Sequence, residues 1–583
     1  MASNETSSQS GIKLTPELFC INHLQYFVET RYAFLQTLPT EKAARTLKTL
    51  PLERPEFDKI LSEPQQHELK NRRSGLAAAA VAMTFGNYRR ALDAVEYAES
   101  SYRTYFAQDH ITRLEISSFR ALLLALNSRP VEAEELCQRT LSVLSEGRGY
   151  AHPLTLVTTG IMVLIQIKLW QFFPALDTAA TLTQRANEIL GDNSILTLHS
   201  RVLLAAAKFH AGEYCRSEAD LESVIPILEQ SLHGGHPDMF QYQCLLARVY
   251  LKRGKFDAAE RRLVSALETK LQEYSKKSNP NGAIGASTDN AEIPEIKLSD
   301  FVRAFREDPS AAFLNKKPHP EFLKALSLLA DILFQQQSVP DFAISIHKAV
   351  WWQEKAELGD SHLDTVTTLS RFAVLTRDFR GGYETDKVVR EQLEHVVKVR
   401  TQALGSSHAA TLCAQREWFI LGHSMKSLIN PGLWAENEER SLIYFQGRDV
   451  FAESHNIYET HKSYIGRLHP ETLQSLHWLF KIEISKGFHE QTTALTGELL
   501  ICLRAVRKDS PVFALSLECS IAFTFYEFGY YRTARQISMK TSESIDVCLA
   551  SEGQEMRPFL ERLKVENRGF IDHLRDKMEE VRR

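Results

Sequence analysis

Residues 236–263 read HPDMFQYQCLLARVYLKRGKFDAAERRL, and this stretch decides the fold. Pro237 stands at a first helical position, where a missing N–H costs nothing. Asp238 follows in the first turn, where negative charge complements the helix dipole. Gly254 supplies the left-handed residue that closes a helix. Phe256 comes two residues later and Ala259 three beyond it, and a small residue there lets a second helix pack closely on the first. The stretch predicts a helix, a tight turn and a second helix.

The same features return every 42 residues. His236 maps to Ser194, His152 and His110, and Gly254 maps to Gly212 and Gly86. Phe256 maps to Tyr214, Phe172, Pro130 and Tyr88, and Ala259 to Ser217, Ala175, Ala133 and Ala91. Five successive units are in phase over residues 68–273. A fixed period of this length marks a repeat array.

Along Leu246-Ala247-x-x-Tyr250 and Ala259-x-x-x-Leu263 the unit resembles the tetratricopeptide repeat, whose standard length is about 34 residues. The difference adds roughly 12 Å of helix, about one turn to each member of the pair. The longer unit and its His-Pro opening are similar to the kinesin light chain class of that repeat. So are HPETLQSLHWLFKIEISKGF at 469–488 and LGDSHLDTVTTLSRFAVLTRDF at 358–379. The resemblance implies an all-α, right-handed superhelical solenoid of about ten TPR-like helix-turn-helix repeats with terminal capping helices. Divergent arrays of this class are plentiful in filamentous fungi, which points to a fungal source. No coiled-coil heptads precede the repeats, so a motor subunit is not expected.

Beyond the fifth unit, new openings fall at His319-Pro320, His362, His408, His469-Pro470 and Ser510-Pro511. They delimit repeats at 319–423 and 462–550. Between the repeat blocks lies an insert, 274–318, whose first half is rich in Ser, Asn, Gly and Pro and reads as a loop. Its second half, LSDFVRAFRED, suits one short helix. A further insertion at 424–461 carries Pro431-Gly432, Trp434, Tyr444 and Phe445. The ends read as caps: a polar tail and helices over 1–67, opening at Thr15-Pro16-Glu17, and a charged helix over 551–583 with an apolar stripe of Ile571, Leu574, Met578 and Val581. Arrays need such terminal units with a polar outer face.

The 583 residues are too many for one compact domain. With 44% apolar and 24% charged residues, the chain is of ordinary globular make-up. A formal net charge of −4, evenly mixed, offers neither a nucleic-acid footprint nor a polybasic membrane patch. Eight cysteines are scattered without a C-x-x-C pair, which predicts buried reduced thiols rather than disulfides or a zinc module. The polar start, MASNETSSQSG, lacks a signal-peptide layout. The most apolar stretch, 160–173, is broken by Gln166 and Lys168 and is too short for a bilayer. A cytoplasmic protein is expected, with the nucleus as the alternative compartment.

No phosphate loop, dinucleotide fingerprint or nucleophile elbow is present. The string HEQTT at His489 lacks the second histidine of a zinc-protease helix. His110, His152 and His236 are equivalent positions on different units, but neighbouring helices are 8–10 Å apart, too far for shared metal ligation at about 2.0–2.1 Å. They read as cap residues, since Ser194 and Ser510 fill the same slot. Trp170, Trp351 and Phe172 read as core. No catalytic residue, cofactor or metal site is expected.

In the family resembled, two first-helix asparagines just before the Leu-Ala pair face a bound peptide. Here that pair is Ser118-Phe119, Gly160-Ile161, Val202-Leu203, Cys244-Leu245 and Ser327-Leu328, then Ser370-Arg371, Arg416-Glu417 and His477-Trp478. The earlier half is thus expected to have an apolar groove covered by a partner, by the 274–318 insert or by the terminal helices. The later half offers Arg371, Arg416, His477 and Trp478, a set suited to an acidic or aromatic peptide, with Trp478 as its outward-facing anchor. The function expected is a scaffold or adaptor that binds a protein or peptide partner in its concave groove, with no nucleic-acid or membrane partner. The alternative is a regulatory or accessory protein controlled by a small ligand or by self-contact. An enzyme on a helical-repeat scaffold is the third reading.

Overall fold

The computed structural model describes residues 86–231, 237–276, 297–309, 318–336, 340–380, 383–422, 450–485, 490–551 and 555–582, with isolated positions 76, 79, 82, 83 and 487. All regular structure among them is helical. First helices begin directly after each of the nine openings: α2 (Ile111–Leu126), α4 (Pro153–Lys168), α6 (Ile195–His210), α8 (Pro237–Arg253), α11 (Pro320–Gln335), α13 (Leu363–Arg380), α15 (Ala409–Gly422), α17 (Pro470–Ser485) and α19 (Pro511–Glu527). Their second helices are α3 (Pro130–Gly147), α5 (Phe172–Leu190), α7 (Tyr214–Ser231), α9 (Phe256–Lys276), α12 (Pro340–Leu358), α14 (Tyr383–Leu404), α16 (Val450–Tyr464), α18 (Glu490–Val506) and α20 (Tyr531–Ser551). A second helix, α1 (Tyr88–Tyr105), precedes these pairs, α10 (Leu298–Glu307) lies in the insert, and α21 (Arg557–Arg582) ends the chain.

The phase has a direct physical cause. Ala91, Ala133, Ala175, Ser217 and Ala259 are all fully buried, each at the point where a second helix rests on its first. Tyr88, Phe172, Tyr214 and Phe256 start second helices and are buried too. The turn before them is left-handed at Gly86, Gly212 and Gly254, and also at Ser128 and Trp170, which fill the same slot with φ of 62° and 57°. A side chain in that region carries a steric cost, so something else must hold it there.

The opening histidines cap their helices. Nδ1 of His152, His319, His362, His408 and His469 accepts the backbone N–H two residues on, at 3.1–3.2 Å. This satisfies one of the orphan donors at the helix start. His236 lies outside the described residues.

Residues 450–461, read from the sequence as part of an insertion, lie within α16, which packs on α15 and α17. The short helix expected in the 274–318 insert is α10, and it buries Leu298, Phe301, Val302 and Phe305 in the core shared by α8, α9, α11 and α12. The loop half of that insert and the N-terminal cap lie outside the described residues. The C-terminal stripe anchors α21 at Leu574, which is fully buried. Seven cysteines among the described residues are unbridged. No helix among them is long and apolar enough to cross a membrane.

The chain forms two compact units, residues 1–127 with 132–162, and residues 128–131 with 163–583. In the first, Ser118 Oγ and Thr158 Oγ1 lie 2.8 Å apart, and Arg120 bridges Glu96 and Glu99.

In the second unit, repeats five apart along the chain touch. Ser128 Oγ accepts the Leu363 N–H at 2.8 Å. His408 Nε2–H donates to the Leu169 carbonyl at 2.9 Å, and Trp170 lies edge-on to that imidazole. His469 Nε2–H donates to the His210 carbonyl at 3.1 Å, and Phe172 stacks on both rings. Arg253 donates to the Lys508 carbonyl at 2.6 Å. Arg562 of α21 reaches the Gln335 and Gln336 carbonyls in the same way. Each opening or cap on the later repeat meets the closing turn of a first helix five repeats earlier.

These ties can be tested at a glycine and at a histidine. At Gly254, which has φ +82°, an added Cβ would stand 2.1 Å from Val512 Cγ2, whereas at Gly359, with φ +96°, it would meet nothing within 4 Å. Gly254→Ala should therefore cost ~1–3 kcal/mol more than Gly359→Ala by overpacking, measured by urea unfolding, and Val512→Ala should restore most of the difference. At His469, both ring nitrogens are committed in the neutral form. Burial outweighs Glu471 and the His210 carbonyl, which favour the cation, and lowers the His469 pKa to about 4; burial and then Arg416 lower His461 likewise to about 4. An unfolded histidine protonates near pH ~6.5, so stability should be lost as pH falls from there towards 4. His469→Asn keeps a capping acceptor, and near pH 5.5 it should reduce proton uptake on unfolding by about one proton.

Candidate functional site

The residue before the Leu-Ala pair and the one preceding it behave as packing positions. Ser118, Val202 and Cys244 are buried at the first of these slots, and Phe119, Ile161 and Leu328 at the second. Leu203, Leu245 and Ser327 of the same pairs are half-buried, so most of the apolar groove expected along the earlier repeats is taken up by helix–helix contact. Arg416 and His477 occupy the slot of Val202 and Cys244, and they are buried as well.

Arg416 is the hub of a polar core between α15 and α17. Its guanidinium donates to Glu417 Oε1 at 2.8 Å, Glu471 Oε2 at 3.0 Å and Gln474 Oε1 at 2.8 Å. Its other arm reaches the Glu471 carbonyl and Ser475 Oγ, both at 3.1 Å. Burial opposes this charge, and Glu417 and Glu471 more than offset it, so the guanidinium pKa is raised. The Glu471 carboxyl is lowered to about 2, burial opposing and Arg416 prevailing. His461 completes the group, with Nε2–H on the Ala409 carbonyl at 3.0 Å and Nδ1 at 2.9 Å from Ser475 Oγ.

His477 is held neutral by burial, next by Lys481 and Arg416, which push its pKa well down. Trp478 packs among Leu412, Phe419, Val450, Ile457 and Ile482. Instead of facing outward as an anchor, it faces the α15–α16–α17 core, because the second slot of the pair points between helices. Of the four candidates only Arg371 reaches solvent, with 51% of its side chain exposed, and it pairs with Asp331 at 2.7 Å. The structure brings no two of the four together as a ligand-contacting set.

What lies near Arg371 is a different group. Lys168, His210 and Lys252 are one repeat apart in a single slot at the ends of α4, α6 and α8. Arg248 stands one turn before Lys252. Lys168 is within electrostatic reach of Asp364, Lys324 and Glu321, and Lys252 of Arg371, Asp331 and Glu471. Most charges here are matched: Lys324 bridges Glu321 at 2.9 Å and Asp364 at 3.0 Å, and Asp331 serves Arg371 and His347. Although burial alone would raise it, the Asp331 carboxyl is held well below the usual range by Arg371 and His347.

Lys168, Arg248 and Lys252 have no ion-pair partner among the described residues. Desolvation lowers the pKa of Lys168, opposed by Asp364. It also lowers that of Lys252, with Arg371 adding to the effect, although the Lys252 side chain touches solvent. The 42-residue phase that aligns the glycines also aligns Lys168 with Lys252, so the signal for this row was in the sequence.

Residues 194–272 match the family model of the tetratricopeptide repeat. No curated protein matches the chain. Among solved structures, the chain is similar to the nearly identical TPR-like repeats of a Podosopora anserina protein named for the kinesin light chain. Identity is 20%, covering 36% of this chain and 98% of that one, with a TM-score of 0.29. A single-substitution form of the same repeats matches at 21% identity, 36% and 99% coverage and the same TM-score of 0.29. A circular tandem repeat protein with novel repeat topology matches at 13% identity over 89% of this chain and 99% of its own, with a TM-score of 0.14.

Trp478→Ala should lower stability by ~3–5 kcal/mol, the cost of emptying a packed aromatic site. Arg371→Ala should change it by less than ~1 kcal/mol, as an exposed pair does. Denaturant titration of both variants decides this.

Proposed function

We propose that this chain is a non-catalytic protein-interaction scaffold that holds an acidic segment of a partner along the first-helix face of α4, α6 and α8. Tetratricopeptide repeats are in general protein-interaction modules, and residues 194–272 are of that kind. The observation that carries the reading is the row of Lys168, Arg248 and Lys252, unmatched on a face where neighbouring charges are matched. Unpaired cations in a partly desolvated setting favour a carboxylate-bearing ligand, since ion pairs strengthen as water is excluded.

Among the described residues, the buried Cys413 lies 3.6 Å from His461 and 3.3 Å from Glu471, a cysteine–histidine–carboxylate grouping. Burial and then Glu471 push its thiol well up, so no thiolate nucleophile forms there. That supports a binding role over the enzyme reading.

The test uses the full chain and a fluorescent poly-glutamate peptide. Binding should weaken as salt rises, and the triple variant Lys168→Gln, Arg248→Gln, Lys252→Gln should lose at least about tenfold in affinity, roughly 1.4 kcal/mol, with unchanged circular dichroism. Equal binding by the triple variant would refute the assignment of this face.

A further inference from the structure

The second helices α18 and α20 of successive repeats both rest on α19, and between them lies an open cavity of about 480 Å³. It exists because the facing residues are small: Gly497 has nothing within 4 Å of where a Cβ would be. Thr493, Thr496, Thr533 and Thr541 line the same space.

Three cations surround it: Arg504 and Arg507 near the end of α18, and Lys540 on α20. Glu518 on the floor is engaged by Arg507 and is nearly fully buried. The buried Nε–H of Arg507 has no acceptor within the protein among the described residues. Arg504 and Lys540 have no ion-pair partner there either. Glu543, on the exposed rim, is the second carboxylate of the lining. A donor buried without an acceptor costs free energy that a bound acceptor would recover. Leu500, Phe525 and Ile537 give the cavity an apolar side.

We propose that this cavity binds a small phosphomonoester, its phosphate between Arg504, Arg507 Nε and Lys540 and its organic body against Phe525 and Ile537. The donor set selects this class. Against Glu518 and Glu543 the three cations leave one net positive charge, but Arg504, Lys540 and the unmet Arg507 Nε–H are three separate donor groups, and a phosphomonoester brings three terminal oxygens to them. A monocarboxylate, with two oxygens, would leave one of them without an oxygen of its own. The volume lies within the range of small-molecule sites and far exceeds a bare phosphate ion. The site is separate from the row at Lys168, Arg248 and Lys252.

Calorimetric titration of the full chain with phenyl phosphate, inorganic phosphate and benzoate tests this. Phenyl phosphate should bind saturably, and at least tenfold more tightly than either of the others. Arg504→Gln and Lys540→Gln should each weaken it about tenfold while leaving thermal unfolding without probe unchanged. Gly497→Leu, which fills the cavity from an otherwise open helix position, should abolish it. Absence of saturable binding, equal binding of benzoate, or phenyl phosphate binding that survives Gly497→Leu would each overturn the proposal.

Discussion

The second unit depends on one repeated contact, the docking of a helix opening onto the closing turn of a first helix five repeats earlier. A stack of helix pairs with only nearest-neighbour contacts is quasi-one-dimensional, and its stability is a sum over repeats. Ties across five repeats change that, since repeats far apart along the chain now stabilise one another. The contact also explains why histidine suits the opening. A serine can cap its own helix, but an imidazole has a second nitrogen on the far side of the ring. In His408 and His469 the first nitrogen accepts from the helix start, and the second donates to the earlier repeat.

The same contact accounts for the backbone at 128, 170, 212 and 254. Left-handed geometry is easiest for glycine, yet the slot holds serine and tryptophan in two of the four places. Ser128 spends its hydroxyl on the Leu363 N–H, and Trp170 lays its ring against His408. At Gly254 the partner presses so close that no side chain fits. What one repeat tolerates there is decided by a repeat more than 200 residues away, as between Lys252 and Ser510.

This is also the boundary of what can be read from the chain. A period identifies equivalent positions, so helix starts, closing turns and the buried small residue are all legible. It is silent on which repeats meet, because contact order along the stack depends on small rotations between pairs that no single position encodes. The misplaced candidate site has a different origin. Arg416 and His477 stand out as polar residues, yet their slot is filled by Val202 and Cys244 in earlier repeats. Equivalence argues for burial, residue type for exposure, and in the folded chain equivalence prevails. Lys168 and Lys252 are aligned by the same phase, but their slot is not among those the family resemblance brings forward.

A charged side chain in a core slot demands an explanation, because a buried arginine without partners would be costly by several kcal/mol. Arg416 is tolerated because its donors are met by side chains from its own helix and the next repeat, Glu417, Glu471, Gln474 and Ser475. Such a network adds little stability over a well-packed apolar core. Its consequence is register: Glu471 and Ser475 satisfy Arg416 only if α17 sits at one height and rotation against α15. An apolar slot such as Val202 tolerates small slips, whereas a guanidinium shared among four groups does not. That stringency falls on the helix that His469 opens, and the His469 ring must meet the His210 carbonyl. The polar core and the long-range tie therefore act on the same helix start, the first fixing the orientation of α17 and the second using it.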